Sequence, residues 1–408
     1  MSRRQALASA LGGGVTLSLG QAVFKPARAQ DVQPFRIGVI NDQSGPYSAL
    51  GGPGSVVAAK LAAEEMGGKV LGRPIEVLVG DHMNNPDTGA AIVRGWLDHG
   101  VSAVADGGSS AVGVAIQTLT RERNRMFLNS GSTTSELTGK LCSPNAVQWI
   151  PDTYSIASGS VQAYMSANPS VKKWFTIVVD YTAGHDMERT AASVVQRNGG
   201  QVVGSARFPL GTADFASVLL QAQGAEAQAI ALGTAGSDAI NAIKQFREFG
   251  LDNTVALISM FTVITDVEAL GHETAAGLIW LTNFYWDRDD ASRTWTNRFR
   301  ALRNQAPTRM HASTYGATLH YLRAVQVVGS DDGAAVGQRM RATPASDPLF
   351  NGSRIREDGR VLAPLFLMRD KLPTQVRGPN DWAEVIVTLS PDQAYRPLSE
   401  GGCPLIKS

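Results

Sequence analysis

From Phe35 onward, short apolar runs alternate with longer amphipathic stretches, and no other property of this chain restricts its fold as much. Parallel strands can be joined only by a long crossover, so this alternation is the signature of βα units around a largely parallel sheet. Two series are visible. In the first, strands are expected at 35–40, 74–80, 101–106 and 126–129, with helices at 48–66, 88–99 and 111–123. In the second, strands are expected at 174–179, 201–208, 227–232, 254–259 and 277–282, with helices at 184–198, 214–223 and 237–249. Two further helices at 291–303 and 313–328 and two late strands at 361–369 and 384–389 complete the pattern. The fold class predicted is α/β, two doubly wound parallel-sheet lobes joined by a three-strand hinge. A first lobe is assigned to 30–152 plus 289–346, a second to 153–284 plus 349–390, and an extended tail to 391–408. The crossings are expected near 151–154, 284–290 and 345–349, and three parallel connections between two such lobes make a closable cleft.

Residues 1–29 read as a signal peptide. Ser2-Arg3-Arg4 is a basic start, 7–19 is mildly apolar, and Ala27-Arg28-Ala29 places small residues where a signal peptidase reads. The paired arginines fit the twin-arginine route, although Gln5-Ala6 departs from the usual continuation. About thirteen apolar residues broken by Gly12-Gly13-Gly14 are too few for a membrane span of about twenty. The mature protein is therefore expected in the periplasm. The formal charge of +1 becomes −3 once the four leader cations Arg3, Arg4, Lys25 and Arg28 are gone, which argues against nucleic acid as a partner. Cys142 and Cys403 are the only cysteines, and an isolated pair in an oxidising compartment favours a disulfide over two buried thiols.

Catalytic signatures are missing. There is no Gly-x-Ser-x-Gly elbow, no phosphate loop and no His-Glu-x-x-His, and the six histidines fall in no metal-ligand cluster. Asp287, Asp289 and Asp290 lack the glycine and terminal glutamate of a calcium loop and read as solvated charge. No metal, no cofactor and no enzyme activity are expected. The loops at the carboxyl ends of the first-series strands are instead rich in small and polar residues, where ligands of open α/β sheets sit. Asn41-Asp42-Gln43-Ser44-Gly45-Pro46-Tyr47 follows the first strand, with Ser48 a candidate helix cap. Asp106-Gly107-Gly108-Ser109-Ser110 follows the third and brings hydroxyls to a helix N-terminus, an arrangement suited to an anion. Asn129-Ser130-Gly131-Ser132-Thr133-Thr134 follows the fourth.

The order of these motifs, with Ala63-Glu64-Glu65, Leu71-Gly-Arg-Pro-Ile-Glu76, Asp81-His-Met-Asn-Asn-Pro-Asp87 and the closing Cys403-Pro-Leu-Ile-Lys407, resembles the type I periplasmic binding proteins of the branched-chain amino acid class. Within that class it is most similar to ABC-transporter substrate-binding proteins that accept aromatic and other organic acids. The resemblance implies a two-lobed clamp, expected to be a monomer, that delivers a small-molecule solute to a membrane permease. Position by position, it implies that Ser110 binds a carboxylate and that Gly131, Ser132 and Thr133 add backbone and hydroxyl donors. Where amino-acid binders carry an acid from the second lobe, this chain has Met260-Phe261-Thr262, and an ammonium buried without a partner costs several kcal/mol. Small residues in Gly233-Thr234-Ala235-Gly236-Ser237 leave room there, so Tyr47, Trp149, Tyr154, Tyr181 and Phe261 are expected to line a slot for a flat ligand, with Phe284 either joining them or packing the hinge. Asp180 and Asp186 are candidates for a ligand hydroxyl or for a helix cap. The alternatives are a branched-chain amino acid or small amide as solute, a periplasmic sensor subunit of the same fold, and an exported hydrolase should a nucleophile and base meet in space.

Overall fold

The computed structural model describes residues 32–378 and 380–406, and the signal peptide expected at 1–29 lies outside them. At the centre of the first sheet is β1 (Phe35–Asn41), apolar apart from Arg36 and the closing Asn41 and buried on both faces, as a strand covered by helices on each side must be. A hairpin of β2 (Lys69–Val70) and β3 (Arg73–Asp81) turns through Leu71 and Gly72, both at positive φ. The strands β4 (Ala103–Asp106), β5 (Met126–Asn129) and β6 (Ala146–Gln148) extend the sheet in the order β2-β3-β1-β4-β5-β6, parallel from β3 onward. In the second lobe, β7 (Lys173–Val179), β8 (Gln201–Phe208), β9 (Ala229–Gly233), β10 (Ala256–Ser259) and β11 (Ile279–Thr282) are parallel. After a short ribbon, β12 (Arg354–Ile355) with β13 (Val361–Leu362), the strands β14 (Leu365–Asp370) and β15 (Ala383–Leu389) join this sheet antiparallel, giving β15-β14-β11-β10-β9-β7-β8.

The structure differs from the expected boundaries in several places, among them the additional short strands β2 and β6 and the start of the helix expected at 313–328, which lies at Arg309. The long helix near the start begins at Gly52, with Gly51 as its N-cap and Pro53 in its first turn, so Ser48 caps nothing and lies in the preceding turn. Helices at Thr153–Ala167, Ile264–Ala275 and Gly333–Ala342 went unread. The first is rich in Ser, Gly and Thr, which are poor helix formers, and is set instead by the Asp152 side chain accepting from Ser155 N at 2.8 Å. The third crossing falls at 363–365 rather than 345–349. Leu349, Phe350, Ile355, Val361 and Ala363 all belong to the core of the first lobe, and Gln148 N donates to Gly359 O at 2.9 Å. Finally, Pro364 splits the strand expected at 361–369, since it supplies no N–H for a ladder.

Phe284 packs edge-on against Trp295 in the first-lobe core, and Trp286 touches the cores of both lobes, so these aromatics build the hinge. The three nearby acids are in ion pairs: Asp287 and Asp290 with Arg293, and Asp289 with Arg288 while capping Ser292 N.

Cys142 and Cys403 form a disulfide with Cα atoms 5.6 Å apart. Its placement matters. The tail leaves β15 in the second lobe, buries Tyr395 there, donates from Arg396 to Ser135 O at 3.0 Å, and ends bonded to the first lobe. The tail is thus a fourth connection between lobes, and its loop of 261 residues is long enough for the bridge to restrict the unfolded chain strongly. Replacing both cysteines by serine is expected to lower the unfolding free energy by about 2–4 kcal/mol in a urea titration. An unchanged midpoint would mean that the arginine contacts hold the tail without the bridge.

Candidate functional site

Parallel pairing puts the carboxyl ends of neighbouring strands side by side. In the first lobe the register aligns Asn41 with Asp81 and Asp106 with Asn129, a polar row along one sheet edge. Asp106 has φ +74, and its carboxylate accepts from Asn41 Nδ2 at 2.7 Å and from Gly108 N at 3.1 Å. Burial pushes this carboxyl up from the usual range, against the bonds from Ser55, Asn41 and Gly108 that stabilise its charge. Gly131 has no room for a side chain, because a Cβ would meet Asp106 Oδ1 at 1.9 Å. Gly108 is at positive φ, and a Cβ on it would strike His82 Nε2 at 1.9 Å. The doubled glycine is thereby required by the packing behind the loop.

The helix Ser110–Glu122 opens on the cleft with Ser109 as N-cap, and no side chain caps it. Ser109 Oγ is buried and unpartnered among the described residues. Ser110 Oγ accepts from Thr134 N at 3.1 Å, which leaves its proton to donate. Thr133 and Gly131 face the same space, and Tyr181, Phe261 and Met310 close it from the opposite side. With the lobes as they stand the cavity has only about 30 Å³ of free volume, room for a water or two and not for a ring.

Of the residues singled out from sequence, Ser110, Gly131, Thr133, Tyr47, Tyr181 and Phe261 come together around this cavity. Three do not line it. Ser132 Oγ donates to Gly107 O and Ser109 O, at 3.1 and 3.0 Å, and ties the two loops together from behind. Trp149 is 1% exposed in the first-lobe core, edge-on to Phe350 with ring centroids 5.9 Å apart. Tyr154 lies on the helix Thr153–Ala167, away from the lining. The small residues of 233–237 leave no slot either. A Cβ on Gly236 would meet Pro46 O at 2.7 Å, so that loop makes way for the first lobe. Nor do Asp180 and Asp186 cap their helix. Asp180 pairs with His185, and Asp186 accepts from Thr134 Oγ1 at 2.7 Å across the cleft. The Tyr47 and Tyr181 hydroxyls meet at 3.1 Å, likewise across it.

Asn84 and Met310 also line the cavity and were missed, as was the place of Asp42 and Asp106 in its wall. Polar residues ending consecutive buried strands were the available signal for Asp106. Met310 had none. It sits at the start of the helix Arg309–Val328, where Thr308 Oγ1 donates to Leu50 O at 2.5 Å and His311 Nε2 donates to Gly51 O at 2.9 Å. His311 Nδ1 accepts from Thr308 N at 3.0 Å, so the proton must be on Nε2 and the ring is neutral. Arg309, 1% exposed, donates to Phe261 O at 3.0 Å and Leu281 O at 2.6 Å, with its guanidinium 4.7 Å from the centre of the Phe261 ring.

A family model described as periplasmic binding protein matches residues 34–371, and the chain belongs to that family. A periplasmic binding protein from Burkholderia mallei is 37% identical, covering 92% of this chain and 99% of that one, with a TM-score of 0.88. A branched chain amino acid ABC transporter periplasmic ligand-binding protein from Burkholderia xenovorans LB400 is 34% identical over 91% and 99% of the two chains, with a TM-score of 0.83. A solute binding protein of an ABC transporter from R. palustris, solved in complex with benzoate, shares the fold at 19% identity, 91% and 100% coverage and a TM-score of 0.80. Among the described residues no helix is long and apolar enough to cross a membrane.

Burial pushes the His311 pKa down to about 3, helped by Arg303 and opposed by the Gly51 bond. The unfolded chain takes up this proton near pH 6.5 and the folded chain only near 3, so the stability from neutral His311 is complete above about pH 6.5 and is lost as pH falls toward 3. Asp266, which burial pushes up to about 6, acts in the opposite sense, because the folded chain holds its proton more tightly than the unfolded one. His311→Gln keeps an acceptor for Thr308 N, as in a capping box, and removes the titration. Between pH 7.5 and 4.5 the denaturant midpoint of the variant is expected to fall less than that of the parent. Parallel curves would exclude His311 as a source of acid sensitivity.

Proposed function

We propose that this chain is the exported solute-capturing component of an ABC importer, and that its solute is a small carboxylated organic molecule, an aromatic acid in the first place. One observation carries the reading: an uncapped helix N-terminus with Ser109 and Ser110 looks across the cavity at Tyr181, Phe261 and Met310. A carboxylate set on the helix end takes hydrogen bonds from amide and hydroxyl groups, and the helix dipole adds about 0.3–1 kcal/mol. The ring then lies against the apolar wall of the second lobe. Burial pushes Asp106 toward its neutral form, which eases the approach of an anion. The same fold holds benzoate in the R. palustris protein. A lining of small polar groups on one side and apolar side chains on the other supports a binding site as the reading.

Capture follows from closure. With Tyr47 touching Tyr181 and Gly236 lying on Pro46, a ring-sized solute enters only when the lobes part. It then replaces water between them and favours the closed arrangement, which a permease can distinguish from the open one. A monomer suffices for this, and a net charge of −3 on the mature chain disfavours nucleic acid as a partner.

An amino-acid solute has its own observation in favour, the carboxylates of Asp42 and Asp106 on the wall. Asp42 already accepts from Gly45 N, Tyr47 N and Asn84 Nδ2, and burial pushes Asp106 toward its neutral form, so neither is a free carboxylate set out for an ammonium.

Calorimetry of the mature protein with benzoate and with leucine separates the two. Benzoate is expected to bind, and Ser110→Ala to weaken it by about 1–2 kcal/mol, the loss of a hydrogen bond to a charged group. Binding of leucine but of no organic acid would overturn the solute class.

A further inference from the structure

The loop after β3 packs His82 behind Gly108 and sends one further side chain, Asn84, into the cavity wall. Met83 and Asn84 both have positive φ, at 51° and 54°, a conformation that asparagine tolerates better than most residues and that is kept only where surrounding bonds fix it. Those bonds are present. Asn84 N donates to His82 Nδ1 at 2.9 Å, and Asp81 accepts from Met83 N and from Ser44 Oγ, each at 2.8 Å. The side-chain amide is oriented as well. Asn84 Nδ2 donates to Asp42 Oδ2 at 2.7 Å, and the reverse orientation would set a carbonyl oxygen against a carboxylate. Asn84 Oδ1 is therefore fixed as an acceptor, and this atom is buried with no partner among the described residues. A buried acceptor left unpaired has given up its bonds to water for nothing, so a ligand that fills this cavity is under pressure to bring a donor.

We infer that Asn84 Oδ1 is a second recognition point, and that the preferred solute carries a hydroxyl donor on its ring in addition to the carboxylate. The inference rests on the carboxylate reading above and adds to it. Within the organic-acid class proposed above, the donor that would meet this oxygen is a hydroxyl. A second carboxylate is disfavoured at this end by Asp42 and Asp81. The solute class is thus a hydroxy-substituted aromatic acid, with its anion at Ser109 and Ser110 and its hydroxyl donating to Asn84.

The test is a ligand series on the mature protein: benzoate, 3- and 4-hydroxybenzoate, and the two corresponding methoxybenzoates, with dissociation constants from calorimetry. At least one hydroxybenzoate is expected to bind about tenfold tighter than benzoate, and tighter by a similar factor than its methyl ether, which has the oxygen but no proton to donate. Asn84→Gly keeps the left-handed backbone and removes the acceptor, and is expected to bring the ratio of benzoate to hydroxybenzoate dissociation constants to about one. Equal affinities for hydroxyl, methoxy and unsubstituted acids, or a ratio that survives Asn84→Gly, would overturn the inference while leaving the carboxylate reading standing. No binding of any of the five acids would remove both. The comparison on the unaltered protein decides the matter even where the variant fails to fold.

Discussion

The geometry of the cleft depends on one buried guanidinium. Arg309 starts a helix that packs in the first lobe, and its nitrogens reach carbonyls of the second lobe at Phe261, Thr262 and Leu281. Taking such a cation out of water costs several kcal/mol, and only well-placed acceptors offset that. Here the acceptors end β11 and follow β10, so the arginine fixes the height of the second-lobe wall and, through its stacking on Phe261, the attitude of a ring that faces the cavity. The neighbouring residues Thr308 and His311 hold Leu50 and Gly51, on the first-lobe side of the same cavity. One helical turn thus sets the spacing between the two walls.

Beyond that turn, the contacts across the cleft are few and ordinary. Tyr47 meets Tyr181, and Thr134 meets Asp186. Hydrogen bonds of this kind add about 0.5–1.5 kcal/mol each once the lost bonds to water are counted. A closed arrangement held by so little is one that a solute can tip, since a ligand shifts an equilibrium only by its own difference in affinity for the two states. The same small margin explains why the hinge is built of packed aromatics. Trp286 touches both cores, and Arg300 lies 4.6 Å from its ring centre.

Much of the architecture was legible because buried parallel strands must be apolar throughout. Both sheets were read in this way from runs such as 35–40 and 174–179. What failed to register had little contrast or no local cause. The helix at 153–167 is buried on most sides and made of weak helix formers, so it shows no amphipathic stripe. The ribbon at 354–362 pairs only two residues on each strand, too short for any periodicity, and it is fixed by Arg360, whose Nη1 donates to Ile150 O at 2.5 Å from 210 positions away. In the site, the loops were found because small and polar residues clustered at strand ends. The aromatic residues were sorted less well. Trp149 and Tyr181 look alike in a sequence, and only the position of Phe350 and His320 around the first decides that it is core.

The disulfide connects the leader to this mechanism. The cystine closes behind the loop of Gly131 and Thr133: the chain runs from there through Ser135, which accepts from Arg396, to Cys142, which receives the tail. The tail reaches that point from the edge strand of the second lobe, with Tyr395 buried beneath the Arg360 guanidinium on the way. Oxidation therefore braces the loop of Gly131 and Thr133 from outside and adds a covalent limit to how far the lobes can part. Such a bond persists in an oxidising compartment, which is where a leader like that of residues 1–29 would send the chain. Place and mechanism are coupled in this protein through a single pair of sulfur atoms.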